Sequence, residues 1–134
     1  MDAKFAMDYF YDSSPNNMTS NSFINRLKSN QKVSFKDTIS TINESYQYTP
    51  TSFINGLGEQ AVTNAAGTNE GSCKIFAFAQ LQQLDQQQTL SLFGDYYQDV
   101  LNDPNGTSHQ NIRNFMRYGW AGIQFKGKNT LRLK

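Results

Sequence analysis

The segment Gly71-Ser-Cys-Lys-Ile-Phe-Ala-Phe-Ala-Gln-Leu81 constrains this chain more than any other. Its spacing predicts a helix from Ser72 that buries Ile75, Phe76, Phe78 and Ala79. A helix this apolar is stable only when other elements pack around it. The rest of the chain must therefore supply a shell for a central helix. At 134 residues with 37% hydrophobic and 13% aromatic content it has the material to do so, and a chain of this length buries roughly two-thirds of its unfolded surface as one domain.

The remaining periodicity is mostly helical. Phe23, Ile24 and Leu27 predict a short helix ending near Ser29-Asn30. Ser34 reads as the N-cap of a second, with Asp37 three residues on and Phe35, Ile39, Ile42 and Tyr46 on one face. That helix stops by Tyr48, because Pro50 pushes Thr49 into extended backbone. A Gly/Asn/Thr-rich loop over 57–70 follows, with a short strand near Gln60–Thr63. Asp85 and Gln88 have the spacing of a capping box. The helix they open carries Leu90, Phe93, Tyr96 or Tyr97, Val100 and Leu101, and Gly94 interrupts it. Asn102-Asp-Pro-Asn-Gly106 is a turn signal. Thr107 or Ser108 then caps a helix with Ile112, Phe115 and Met116, closed by Gly119. Trp120, Ile123 and Phe125, followed by Leu131 and Leu133, predict a C-terminal hairpin across Lys126–Asn129. The fold class is α-rich α+β: a compact single domain of about five helices with a short C-terminal hairpin.

Residues 1–21 read as a flexible N-terminal tail and 22–134 as the domain. The tail carries Phe5, Tyr9, Phe10 and Tyr11 ahead of a polar, breaker-rich stretch. It is open to three readings: an over-extended start with Met18 as initiator, a Ser/Asn-rich export signal, or an aromatic segment that docks on the domain.

Polarity comes largely from amides. The 14 Asn and 12 Gln outnumber the 23 charged residues, and net charge is +1. A weak field of this kind argues against a nucleic-acid partner. No apolar run has the length of a membrane span, and the first residues lack the basic and apolar regions of a cleaved signal peptide. One cysteine excludes an internal disulfide. The expected location is the bacterial cytoplasm, with no cofactor and no metal.

Taken together, Tyr46-Gln-Tyr-Thr-Pro-Thr-Ser-Phe-Ile-Asn-Gly56, Asn69-Glu-Gly-Ser-Cys-Lys-Ile-Phe-Ala-Phe-Ala-Gln-Leu81, Phe93-Gly-Asp-Tyr-Tyr97, Val100-Leu-Asn-Asp-Pro-Asn-Gly-Thr-Ser-His-Gln-Asn-Ile-Arg-Asn-Phe-Met116 and Gly119-Trp-Ala-Gly-Ile123 resemble the HopJ type III effector family. The resemblance runs in order from Phe23 to Phe125, and the first 17 residues lie outside it. It implies an α-rich domain. It also implies secretion through a type III system without a cleaved signal, and a host protein as partner, where the source has such a system. It carries over no catalytic residue.

The residues themselves offer two functions. The first is a non-enzymatic binding or interaction domain for a small molecule or protein, with Tyr46, Tyr48, Glu70, Lys74, Asp95 and Trp120 as candidate ligand contacts; Tyr and Trp make good anchors in such sites. The alternative is a small thiol- or histidine-dependent, hydrolase-like enzyme using Cys73 and His109. A cysteine in the first turn of a helix gains thiolate stability from the helix end. Gly71-Ser-Cys73 also resembles the nucleophile segment of papain-like cysteine proteases. However, Lys74 stands where that family has an aromatic, and no Gln precedes the cysteine as oxyanion donor. Cys73 reads more simply as a small buried apolar residue. Glu70, Asp95 and His109 have the residue types of a facial metal triad but no recognised ligand spacing. Arg113 and Arg117 read as a solvated helix face.

Overall fold

The computed structural model describes the backbone from Pro15 and the side chains from Ser20 to the C-terminus. The aromatic tail residues Phe5 to Tyr11 lie outside the described residues. The helices are α1 (Pro15–Lys28), α2 (Phe35–Ser45), α3 (Glu70–Leu81), α4 (Gln86–Ser91), α5 (Asp95–Asn102) and α6 (Gln110–Tyr118). Five three-residue strands complete the fold: β1 (Tyr46–Tyr48), β2 (Phe53–Asn55), β3 (Val62–Asn64), β4 (Ile123–Phe125) and β5 (Leu131–Leu133). This is the expected α-rich α+β domain.

The central helix is α3. Ile75, Phe76, Phe78 and Ala79 are all fully buried. The rings of Phe53, Phe93, Phe115 and Trp120 surround Phe76 with centroids 4.9–6.3 Å away. Aromatic pairs at these distances add attraction beyond their burial, so α3 is held on several sides by β2, the α4–α5 junction, α6 and the turn after it.

Local chemistry sets most of the boundaries. Ser34 Oγ accepts from the Asp37 amide at 3.0 Å. Asp85 and Gln88 form the reciprocal capping box. Gly94 splits the expected fourth helix into α4 and α5. Its φ is +54°, and a Cβ there would meet Phe35 N at 2.6 Å and Val33 O at 2.8 Å, so the start of α2 occupies the space of a side chain. Thr38 Oγ1 fastens the same junction by donating to Leu92 O at 2.8 Å.

Four expectations differ from what is observed. Helix α1 begins at Pro15, ahead of the short helix read from Phe23, Ile24 and Leu27; proline is well suited to a first helical position. Helix α6 starts after His109 and not after Thr107 or Ser108. Arg113 explains that shift: its guanidinium donates to the carbonyls of Asp103, Pro104 and Ser108, drawing the turn onto the helix and leaving His109 as the half-in residue. The same contacts remove Arg113 from the solvated face expected for it.

The fourth correction concerns the C-terminal hairpin. Strands β4 and β5 do not pair with each other. Strand β4 joins β2 in the sheet β3-β2-β4, with Phe53 opposite Phe125, and β5 joins β1, with Tyr46 opposite Leu133. The segment around Pro50 runs along both, donating from Thr49 N to Thr130 O and accepting at Ser52 O from Lys126 N. Alternating apolar residues mark a strand but do not choose its partner.

Candidate ligand-binding cleft

Helices α3 and α6 start side by side, and both starts are unusual. Their N-cap residues, Asn69 (φ 49°) and His109 (φ 55°), lie in the left-handed region, and neither side chain caps its helix. Asn and His are among the non-glycine residues that tolerate this backbone, and such conformations concentrate at functional sites. The two starts line one cleft of about 470 Å³, together with Phe35, Val62, Phe93 and Tyr96.

One wall of the cleft is aromatic. Phe35 meets Tyr96 edge-on at 4.7 Å between centroids, and Tyr96 lies 5.0 Å from the His109 ring, tilted by 33°. Tyr96 is 41% exposed. Gly71 lets this wall approach α3, since a Cβ there would lie 2.7 Å from Phe35 Cζ. His109 Nε2 stands 3.7 Å from Asp99 Oδ2.

Three amides, Asn69, Gln110 and Asn111, line the cleft as well. Asn111 belongs to a buried network: its Nδ2 donates to Asn64 Oδ1 at 2.8 Å, while its Oδ1 accepts from Asn55 at 3.0 Å and from Asn64 at 3.1 Å. Asn114 Nδ2 donates to the carbonyls of Asn55 and Gln60. Two cleft residues are tied to this network by their nitrogens. Asn69 Nδ2 donates to Asn64 Oδ1 at 2.7 Å, and Gln110 Nε2 donates to Asn114 Oδ1 at 2.8 Å.

The thiol lies on a different face of α3. Glu70, Cys73 and Lys74, at i, i+3 and i+4, share that face and meet Tyr48 from β1. Cys73 is 1% exposed, and its Sγ donates to Thr51 O at 3.3 Å. Burial raises the thiol pKa above its ordinary value; nearby Glu70 acts in the same direction, and Tyr48, the Thr51 carbonyl and Lys74 oppose it. Tyr48 Oη is buried beside Glu70 and Cys73 without a hydrogen bond of good geometry. Desolvation, then Glu70 and Cys73, hold its hydroxyl far above the ordinary tyrosine range. Lys74 Nζ sits 4.8 Å from the Tyr48 ring centroid and donates to Asn43 Oδ1 at 2.9 Å.

The structure thus brings Tyr48, Glu70, Cys73 and Lys74 together. Among the described residues no hydrogen bond joins Cys73 to His109. Tyr46 is buried against Phe78, its hydroxyl accepting from Gln82. Trp120 packs on Phe115 and donates from Nε1 to Leu84 O at 3.0 Å. Asp95 lies in the exposed first turn of α5, on a separate groove with Lys32 and Ser34. Among the described residues, no three of His, Cys, Asp and Glu are grouped to hold a metal ion, and no helix is long and apolar enough to cross a membrane. Sequence reasoning picked His109 from this cleft and missed Phe35, Asn69, Ser72, Gln110 and Asn111. The available signal was an Asn and a His directly ahead of two apolar-faced helices.

A small α-rich domain with two helix starts lining one cleft is the class that fold and site define. The family model described as HopJ type III effector protein matches residues 20–130, and the chain belongs to that family. It is also similar to the crystal structure of the protein of unknown function VPA0580, at 45% identity and a TM-score of 0.79 over 85% of this chain and 92% of that one. No curated protein matches it.

Proposed function

We propose that this HopJ protein is a non-enzymatic binding domain whose ligand sits in the cleft between the starts of α3 and α6. The observation that carries the reading is the mixed lining. The cleft is lined by a strip of three rings with Tyr96 41% exposed and by Asn69 and Gln110, exposed residues whose amides are fixed by part-buried hydrogen bonds to Asn64 and Asn114. Small-molecule sites combine apolar walls with a few well-placed polar groups in this way. The buried amide network makes the cleft preformed, so binding does not have to order it.

The family's effector name supports a second element: in a bacterium equipped with a type III system, the protein is exported to meet a host target. Residues 1–14 are the segment for that role, since the buried Ser20 Oγ to Ser45 Oγ hydrogen bond at 2.8 Å ties the chain from Ser20 onward into the domain. Deleting residues 1–14 should abolish export and leave the melting temperature unchanged; unchanged export would refute this element.

The binding reading is tested by titrating a library of polar small molecules into labelled protein and mapping the backbone amides that shift. The expected result is at least one compound that shifts Gly71, Ser72 and 109–112 together. Ligands that map only to the groove beside Lys32, or no ligand at all, would overturn it.

A further inference from the structure

The cleft's amides are not free to turn. Asn69 Nδ2 is committed to Asn64 Oδ1 and Gln110 Nε2 to Asn114 Oδ1, and an amide oxygen can only accept, so the nitrogen ends of Asn69 and Gln110 must face inward. That leaves Asn69 Oδ1 and Gln110 Oε1 as the outer poles. Among the described residues neither accepts a hydrogen bond from the protein. Both residues line the same cleft as the ring strip of Phe35, Tyr96 and His109.

We infer that the ligand is a planar heteroaromatic ring bearing an amino group, of the aminopyrimidine or aminopurine type, as the free nucleoside or base. This rests on the binding-domain reading above and names its ligand class. The ring lies against Tyr96 and His109, where a flat π-surface gains contact that a puckered sugar cannot. Its exocyclic N–H donors are read by the two fixed carbonyl oxygens. A ring with a carbonyl at that position would set acceptor against acceptor, and unpaired polar groups of this kind are what make such sites selective.

Adenosine and cytidine are the probes; purine riboside is adenosine without its amino donor, uridine carries a carbonyl in place of the amino group of cytidine and an N–H at N3, and ribose is the control without a ring. Affinity is read from amide shifts of the full-length protein. At least one amino nucleoside should shift Ser72 and 109–112, with its partner at least about fivefold weaker, the size of one hydrogen bond, and ribose silent. Gln110→Met, which removes one carbonyl acceptor at constant length, should bring the pair within about twofold; Asn69→Gly, which keeps the left-handed backbone, is the second variant should the first fail to fold. Equal affinity for both members of each pair, or cleft binding by other library compounds without either amino nucleoside, would overturn the ligand class and leave the binding domain standing. A cleft that takes no compound of any kind overturns both.

Discussion

Asn64 and Asn111 hold each other through both ends of their amides: Asn111 Nδ2 donates to Asn64 Oδ1 at 2.8 Å, and Asn64 Nδ2 donates back to Asn111 Oδ1 at 3.1 Å. Both are buried, and the pair joins β3 to α6 beneath the cleft. Removing Asn111 leaves the buried Asn64 Nδ2 with only the longer contacts to the Phe53 and Val62 carbonyls at 3.5 and 3.4 Å, while Asn64 Oδ1 keeps Asn69 as a donor. Asn111→Ala should therefore cost about 2–4 kcal/mol of stability, because Asn55 Nδ2 loses its side-chain acceptor as well. Asn69→Gly, which keeps the left-handed backbone at the exposed end of the same network, should cost about 1 kcal/mol or less. Urea unfolding followed by Trp120 fluorescence separates the two; equal costs would mean that the network has no buried centre.

Gly94 is the second point of leverage. Its φ of +54° and the 2.6 Å approach of Phe35 N leave no place for a Cβ. Gly94→Ala should lose at least about 2 kcal/mol, combining backbone strain with displacement of the α2 start. Because Phe35 moves with that start, the cleft should change too. A variant as stable as the parent would show that α4 and α5 are not joined through a glycine-specific turn.

The thiol reading has its own test. Cys73 is buried and its pKa is raised, with desolvation as the main cause. Iodoacetamide should react with it slowly at pH 7–8, and His109→Ala should leave the rate unchanged. A fast reaction slowed by that substitution would restore the hydrolase alternative.

The pH dependence of stability follows from the same cluster. In the folded state Cys73 and Tyr48 both hold their protons more tightly than in the unfolded chain. Above the ordinary thiol pKa of about 8.5 the unfolded chain releases a proton that the native state retains, so stability falls as pH rises. The melting temperature should be flat in this respect below pH 8 and decline above it, more steeply past the tyrosine value of about 10. Cys73→Ala with Tyr48→Phe should flatten that decline. A decline unaffected by the double substitution would place its origin elsewhere.

Much of the fold was legible in the sequence because local chemistry decided it. Ser34, Asp85 with Gln88, and Gly119 each mark a helix end whose geometry depends on residues a few positions away. The strand partners were not legible, since nothing in Ile123–Phe125 or Leu131–Leu133 states that the chain on either side of Pro50 will separate them. The start of α6 was missed for the same reason: Arg113, ten residues downstream of Asp103, draws the turn in. The cleft was half legible. His109 stood out as the single histidine, whereas Tyr96, Phe35 and Asn69 come from separate helices and acquire a shared role only when Gly71 and Gly94 let those helices close together.

The most direct measurement is calorimetric affinity for the strongest cleft ligand, in the parent and in Tyr96→Ala, alongside the melting temperature of each. Tyr96 is 41% exposed but packs on Phe35 and His109, so its removal should lower the melting temperature by no more than several degrees, leaving the fold intact, while weakening binding about tenfold or more. A Tyr96→Ala protein that binds as tightly as the parent would contradict a ligand site on this cleft.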